Sequence, residues 1–441
     1  MGEEEIQQKT PIVYSSNKYD ILEQILRELE ESGSTIPYLY ELRDKALFAT
    51  RRDRPLSEVL SDIATDIETE TKLFLLRKND YDVDLITGIS TGIYLPDKKD
   101  GSYKLKILGG KKSRFSDEKV NVSTVFDLAS ISKMYTLVLL FKLEELGYIN
   151  LDDKIRDVDP SYEALKDFTF NDLIRLRGVI KTKGRIDQAT SYDEAYDLLR
   201  TAYLEDGTEN EQHYTDIGAM IMADVVEKII SEALGKHMTF DEIMNEFLFK
   251  PLFINNTTFT PSIVNVSGNG RTDALPHDPK ARVLGRPSGH AGVFSDSEGL
   301  EQLAEGLIVN GYLNQEHLDR MSEKLFSSKG SLGAYVKHPE GLKGTYTPSE
   351  LSSKSWAFQG WTGQIAVFDP VNAIHHNMLL NAIYDSAEKD SVVNNKPLGF
   401  STGIREYQGK VIEHILLMYV VKKYYNRYMN VKEDIEEMRL V

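Results

Sequence analysis

The order of patterned segments predicts an α+β protein in which both ends of the chain build one antiparallel sheet around a helical insertion. Three stretches carry that expectation. Residues 84–110, "DLITGISTGIYLPDKKDGSYKLKILGG", alternate β-branched and polar positions on either side of a Pro/Asp/Lys/Gly turn, the pattern of a hairpin. Residues 130–250 are mostly helical in period, including 216–234 and 240–248. Residues 355–384 return to strand patterns around a turn at "DPVN", and the tail "IEHILLMYVVKKYYNRY" reads as a helix.

The remaining elements follow in order. Residues 19–31, "YDILEQILRELEE", set Leu22, Ile25, Leu26 and Leu29 on one stripe, so an amphipathic helix is expected there. "SGSTIP" breaks it, and "YLYELRDKALFA" reads as a second helix. Together they suggest a helical N-terminal extension over residues 1–55, ahead of a main domain at 56–441 that opens with a helix over 56–70. In that domain the sheet is expected from about 80–125 and 340–425, and the helical part over about 130–335. The chain from 255 to 300 is rich in Gly, Pro and Asn and loop-like, and "EGLEQLAEGLIVNGYL" returns to helix.

Composition excludes several function classes. The chain has 441 residues, 41% of them hydrophobic, which suits one large or two medium folded domains. Its net charge of −17 would repel phosphates, so neither nucleic acid nor an anionic membrane surface is expected as a partner. With no cysteine, disulfides and thiolate metal sites are ruled out. "MGEEEIQQKTPIVYSS" is acidic where an export signal is basic, and no apolar run of eighteen residues occurs, so a cytoplasmic protein without a membrane span is expected. No His-x-x-x-His pair or carboxylate cluster suggests a metal, and His213, His290, His375 and His376 are read as structural. No cofactor is expected.

Ser-x-x-Lys occurs four times, at Ser15–Lys18, Ser116–Lys119, Ser130–Lys133 and Ser386–Lys389. Roughly two matches would arise by chance at ordinary composition. Only Ser130 opens an apolar helical run, with Met134, Leu137, Leu140, Phe141 and Leu143 at helical spacing and an end at Gly147. Residues i and i+3 share a helix face, so Lys133 is expected beside the Ser130 hydroxyl. The helix N-terminus would favour a developing oxyanion. The competing reading is that Ser130 caps the helix and Lys133 extends its amine to solvent.

"STVFDLASISK" (123–133) resembles the active-site segment of serine β-lactamases and penicillin-binding proteins, especially their class C and esterase-like branch. Collinear similarity continues through "INLDDKI" (149–155), "FTFNDLIRL" (168–176), "EKII" (227–230), "FLFKPLFINNTTFTP" (247–261), "HDPKARVLGRPSGHAGVFSDSEGL" (277–300) and "GWTGQIAVFDP" (360–370). The resemblance implies a β-lactamase/transpeptidase-like fold: a five-stranded antiparallel sheet flanked by helices, beside a mostly helical subdomain. It also implies a serine hydrolase that forms an acyl-enzyme on an ester or amide.

Carried onto this chain, the resemblance makes Ser130 the nucleophile, Lys133 its activator and Tyr214 the general base or proton relay. The family's Tyr-x-Asn reads Tyr214-Thr215-Asp216 here, similar to the Tyr-Ser-Asp version of some esterase-like members, and a carboxylate at Asp216 would hold Lys133 protonated. The alternative for Asp216 is a plain helix cap. Counting back from Asp369-Pro370, the Lys/His-Thr-Gly triplet falls on Phe358, Gln359 and Gly360, with Trp361-Thr362-Gly363 one step too late. Gly360 is expected to let a substrate backbone approach, and the N–H groups of Trp361 and Ser130 to form an oxyanion hole. Phe358 and Gln359 replace the cation and hydroxyl that read an acidic substrate, which weakens the case for β-lactam or D-Ala-D-Ala chemistry. The expected partner is therefore a small-molecule or peptide-like substrate, with residues 1–55 open to a protein partner. The rival readings are a D-Ala-D-Ala carboxypeptidase or β-lactamase, and an inactive scaffold.

Overall fold

The computed structural model describes residues 18–439 except 52–53, 79–81, 83, 98–100, 114–115, 263–265, 268–273, 286, 325–329, 337–347, 382–391, 394–395 and 398–399. Three helices open the described chain: α1 (Lys18–Glu31), α2 (Leu39–Ala49) and α3 (Leu56–Leu75). The hairpin of β1 (Gly88–Leu95) and β2 (Tyr103–Gly110) follows, then the short β3 (Val125–Asp127) and helix α4 (Ser132–Glu145). Beyond α4 the helices that bear on the site include α5 (Ile217–Leu234), α6 (Pro279–Leu284) and α7 (Ser297–Ala304). The chain then returns through β4 (Tyr335–Val336), β5 (Trp356–Gln359), β6 (Ile365–Asp369) and β7 (Ile374–Leu380) to the long helix α8 (Phe400–Arg439).

The main sheet has six strands in the order β2-β1-β7-β6-β5-β4, with every neighbouring pair antiparallel. The expected five are joined by β4, a two-residue edge strand against β5. The second half of the sheet is narrower than expected from the sequence. Its strands lie within 335–380, and the chain from 400 onward is helix.

Strand alternation divides the sheet into two cores. Trp356, Phe358, Ala366, Phe368 and Leu379 point toward the helical half, while Ala357, Ile365, Val367, Ile374 and Met378 point toward the terminal helices. On the terminal side Phe74 of α3 stacks on Tyr407 of α8 at 4.6 Å, and the Tyr407 hydroxyl meets Thr71 and Thr91. The predicted stripe of Leu22, Ile25, Leu26 and Leu29 is buried in this same core, beside Ile415 and Val420 of α8. The described part of the N-terminal extension thus completes a layer over the sheet.

Helix α4 runs through the other core. Met134, Leu137, Leu140, Phe141 and Leu143 are buried as expected, and so are Tyr135, Val138 and Leu139 on the remaining faces. A helix apolar all round belongs inside a protein. Its end is set by Gly147 at φ +77°, where the N–H groups of Tyr148 and Gly147 donate to the Leu143 and Glu144 carbonyls. This 6→1 and 5→2 pairing needs a left-handed residue, which glycine adopts without strain.

Candidate active site

Strand β3 delivers the chain to Ser130. It lies between Val266–Ser267 and Phe294–Ser295 in a small three-stranded sheet and is followed by a 3₁₀ turn over Ala129–Ile131. Ser130 therefore sits one turn ahead of α4, whose N-cap is Ile131. Ala129 adopts φ +46°, a left-handed conformation that side-chain-bearing residues seldom take. Asp127 holds the turn in place. Its buried carboxylate accepts from Ala129 N at 2.9 Å and from the backbone and ring nitrogens of His277 at 2.7 and 3.0 Å. The strain is held by these bonds, a common device at reactive positions.

Ser130 Oγ lies 3.1 Å from Lys133 Nζ and 3.1 Å from the Tyr214 hydroxyl. Lys133 is fully buried, so its amine does not reach for solvent. Its three protons have three acceptors: Ser130 Oγ, Asp216 Oδ1 at 2.8 Å and the His290 carbonyl at 3.1 Å. Burial works against the charge, but Asp216 and Tyr214 outweigh it and hold the ammonium above its usual range. In the resting site Lys133 donates to Ser130.

Asp216 is the N-cap of α5, yet its side chain makes no capping bond. Both carboxylate oxygens turn away from that helix, Oδ1 to Lys133 and Oδ2 to Lys280 Nζ at 2.8 Å. Burial alone would raise its pKa. Lys133, His290 and Lys280 lower it far below the usual carboxylate range. Asp278, which caps α6, accepts from His290 Nε2 at 2.9 Å; despite burial it is lowered to about 2, chiefly by His290. Asp216, Asp278 and His290 bring three potential metal-ligand atoms within 4.8 Å of one another. Ammonium groups already sit on both oxygens of Asp216, so a divalent cation there would meet two positive charges.

A cavity of about 220 Å³ opens on Ser130, bounded by Tyr214, Leu332, Gly333, Tyr335, Phe358, Gln359, Gly360 and Trp361. Phe358 is a buried wall, Trp361 is partly exposed, and Tyr335 OH reaches Gln359 Oε1 at 3.5 Å. The site thus gathers Ser130, Lys133 and Tyr214 with Phe358, Gln359, Gly360 and Trp361, while Asp216 stands behind Lys133 rather than in the pocket. Gly360 also meets the chain's own backbone. A Cβ there would lie 2.6 Å from the Leu128 carbonyl, so the glycine admits the chain's own backbone beside the Ser130 turn. Thr362 is buried, and its hydroxyl donates to the Asp127 carbonyl at 2.9 Å. That hydroxyl ties the Gly360–Gly363 turn to the turn that carries Ser130.

The other Ser-x-x-Lys pairs differ. Ser116 Oγ accepts from the Glu118 N–H in a surface turn, and Lys119 is exposed. Ser15 and the pair Ser386–Lys389 lie outside the described residues. Sequence reasoning missed Lys280, Asp278 and Asp127, and read His290 as structural without foreseeing that its carbonyl meets Lys133. The segment "HDPKARVLGRPSGHAG" carried the signal, since Asp-Pro is a helix-start pattern and places Lys280 in the first turn.

Among the described residues, no helix is long and apolar enough to cross a membrane. A protein of Escherichia coli K12 with the provisional name D-alanyl-D-alanine carboxypeptidase is 24% identical over 311 residues, covering 60% of this chain and 70% of its own. A class C β-lactamase from Rhodobacter sphaeroides shares the fold at TM-score 0.56 and 17% identity, over 80% of this chain and 99% of its own. EstCE1, described as a hydrolase with promiscuous acyltransferase activity, also shares it at TM-score 0.56 and 18% identity, over 79% and 98%. The β-lactamase family profile matches residues 87–394, from the first strand of the hairpin past the last strand of the main sheet. A match over that much of the fold means that the chain belongs to the β-lactamase family, serine hydrolases that work through an acyl-enzyme.

Proposed function

We propose that this chain hydrolyses small neutral acyl esters, with Ser130 as nucleophile, Lys133 as the cation that orients it and Tyr214 as the proton relay. The observation that carries the reading is the pair of 3.1 Å contacts from Ser130 Oγ to Lys133 Nζ and to the Tyr214 hydroxyl. The Lys133 ammonium has all its protons engaged, so the proton leaving Ser130 goes to the Tyr214 oxygen while the phenol's own proton passes to the ester oxygen that will depart. Oγ attacks the ester carbonyl, and the N–H groups of Ser130 and Trp361 hold the oxyanion. As the carbonyl re-forms, the alkoxide departs with a proton from Tyr214, leaving an acyl-Ser130. Water then attacks the acyl group by the reverse relay, releasing the acid and restoring Ser130.

Specificity follows from the end of β5. A carboxylate-reading site needs a cation and a hydroxyl where this chain has Phe358 and Gln359. An anionic substrate would go without a charge-assisted hydrogen bond, about 1.5–3 kcal/mol. The E. coli relative's name supports a second reading, a D-Ala-D-Ala carboxypeptidase or β-lactamase. The test is kcat/KM across p-nitrophenyl acetate and butyrate, nitrocefin, a penicillin and a peptide ending in D-Ala-D-Ala, with Ser130→Ala as the blank. Neutral esters are expected to lead. Efficient nitrocefin hydrolysis with negligible esterase activity would overturn the reading, and no turnover on any of them would favour an inactive scaffold. A cytoplasmic location and a protein partner for residues 1–55 belong to the same proposal, tested by cell fractionation and by co-purification with and without those residues.

A further inference from the structure

Asp216 carries a full negative charge where the Tyr-x-Asn form of the motif has a neutral Asn, and a second lysine answers it. Lys280 Nζ lies 2.8 Å from Asp216 Oδ2, while Lys133 Nζ lies 2.8 Å from Oδ1. Lys280 is not a loose surface residue. It stands in the first turn of α6, and Asp278 fixes that turn by accepting from the N–H groups of Lys280 and Ala281. His290 in turn holds Asp278, and the His290 carbonyl takes the third proton of Lys133. The charged and titratable groups facing this cluster are Lys133 from α4, Tyr214 and Asp216 ahead of α5, Asp278 and Lys280 from α6, His290 from the following loop, and Asp187 from the turn at Ile186–Gln188.

We propose that Lys280 is a positioning residue of the Ser130 site: by holding one oxygen of Asp216 it aims the other at Lys133 and keeps the Lys–Asp–Lys cluster at a net charge of about +1. The proposal rests on Ser130 being the nucleophile. Its physical content is a charge count. A lysine facing a neutral Asn would give +1 at this position, and Lys133 facing Asp216 alone would give zero. Lys280 restores the lost unit from a different element. The restored positive field favours loss of the proton from Ser130, because the oxygen that gives it up gains negative charge beside the cluster. Removing Lys280 makes that deprotonation harder, so the acid limb of the rate profile moves to higher pH.

The experiment is the pH dependence of kcat/KM and kcat on p-nitrophenyl butyrate for the full chain, with Ser130→Ala as the blank. Lys280→Met is expected to move the acid limb up by about one pH unit and to lower kcat about tenfold at pH 7, with KM little changed because Lys280 does not line the pocket. Lys280→Arg should restore the limb. Asp216→Asn raises the count to +2 and should move the limb down, and the Asp216→Asn/Lys280→Met double variant should return it close to wild type. If Lys280→Met does not fold, Asp216→Asn against the double variant reads the same displacement. Ser130-dependent turnover with an unmoved limb, or a double variant no nearer to wild type than its parents, would overturn the role of Lys280 alone. Absence of Ser130-dependent turnover in the wild type would instead defeat the underlying reading, and this one with it.

Discussion

The two ends of α4 face two cavities of very different size, and the smaller one opens on the proposed nucleophile. At the N-terminal end, about 220 Å³ opens on Ser130. At the C-terminal end, a cleft of about 1140 Å³ is lined by Glu144, Glu145, His317, Asp319, Arg320 and Lys354 among others. Several charges in the cleft pair with one another. His317 lies between Glu144 and Glu145 at 2.7 and 3.0 Å, Lys354 pairs with Asp319 at 3.3 Å, and Arg175 pairs with Glu323 at 3.2 Å. Its Ser322 hydroxyl donates to the Asp319 carbonyl of its own helix end. At Ser130 the charges are spent differently: a buried ammonium and a phenol both converge on one hydroxyl that faces open space. Volume marks where a molecule would fit, whereas convergence on one nucleophilic atom marks where it would react.

Substitutions at the two ends should separate sharply. The largest effect belongs to Ser130→Ala, which is expected to remove acyl-enzyme turnover by on the order of 10⁴-fold or more while the protein still folds, read by kcat/KM and a thermal melt. Next is Tyr214→Phe. Without the relaying hydroxyl, kcat should fall about 10²–10⁴-fold with little change in Tm; a variant that keeps most of its activity would reduce Tyr214 to a packing residue. Gly360→Ala should act through the backbone. Its Cβ would meet the Leu128 carbonyl at 2.6 Å, so the nucleophile turn must shift, destabilising the fold by about 1–3 kcal/mol and lowering kcat together with Tm. The smallest effect is at the other end. Lys354→Ala breaks one half-exposed ion pair and should leave kcat/KM within about twofold and stability within about 0.5 kcal/mol. A large activity loss there would mean that the wide cleft contributes to the reaction.

The same contrast explains what was legible in the sequence. The stripe of Leu22, Ile25, Leu26 and Leu29 announced a buried helix face, because periodicity reports which side is apolar. It could not name α8 as the surface that covers this stripe, nearly four hundred residues away. Ser130 and Lys133 were legible because the pair is local, three residues apart at the head of an apolar run. The Lys280–Asp216 contact joins residues 64 positions apart on two helices, and nothing in the spacing of either residue reveals it. Gly360 was found but its contact with the Leu128 carbonyl was not, since a glycine's pattern shows that something comes close without showing what. Asp216 was left between cap and site by the sequence. The absent capping bond and the two ammonium partners resolve its place in the cluster.

The central claim is that one serine, Ser130, is the reactive atom of this fold. Its most direct test is to treat the full chain with a fluorophosphonate probe and locate the adduct by peptide mass spectrometry. The account predicts a single modified residue at Ser130, and no labelling in Ser130→Ala with an unchanged melting temperature. Labelling that persists at the same rate in Ser130→Ala, or an adduct mapped to another serine, would contradict it.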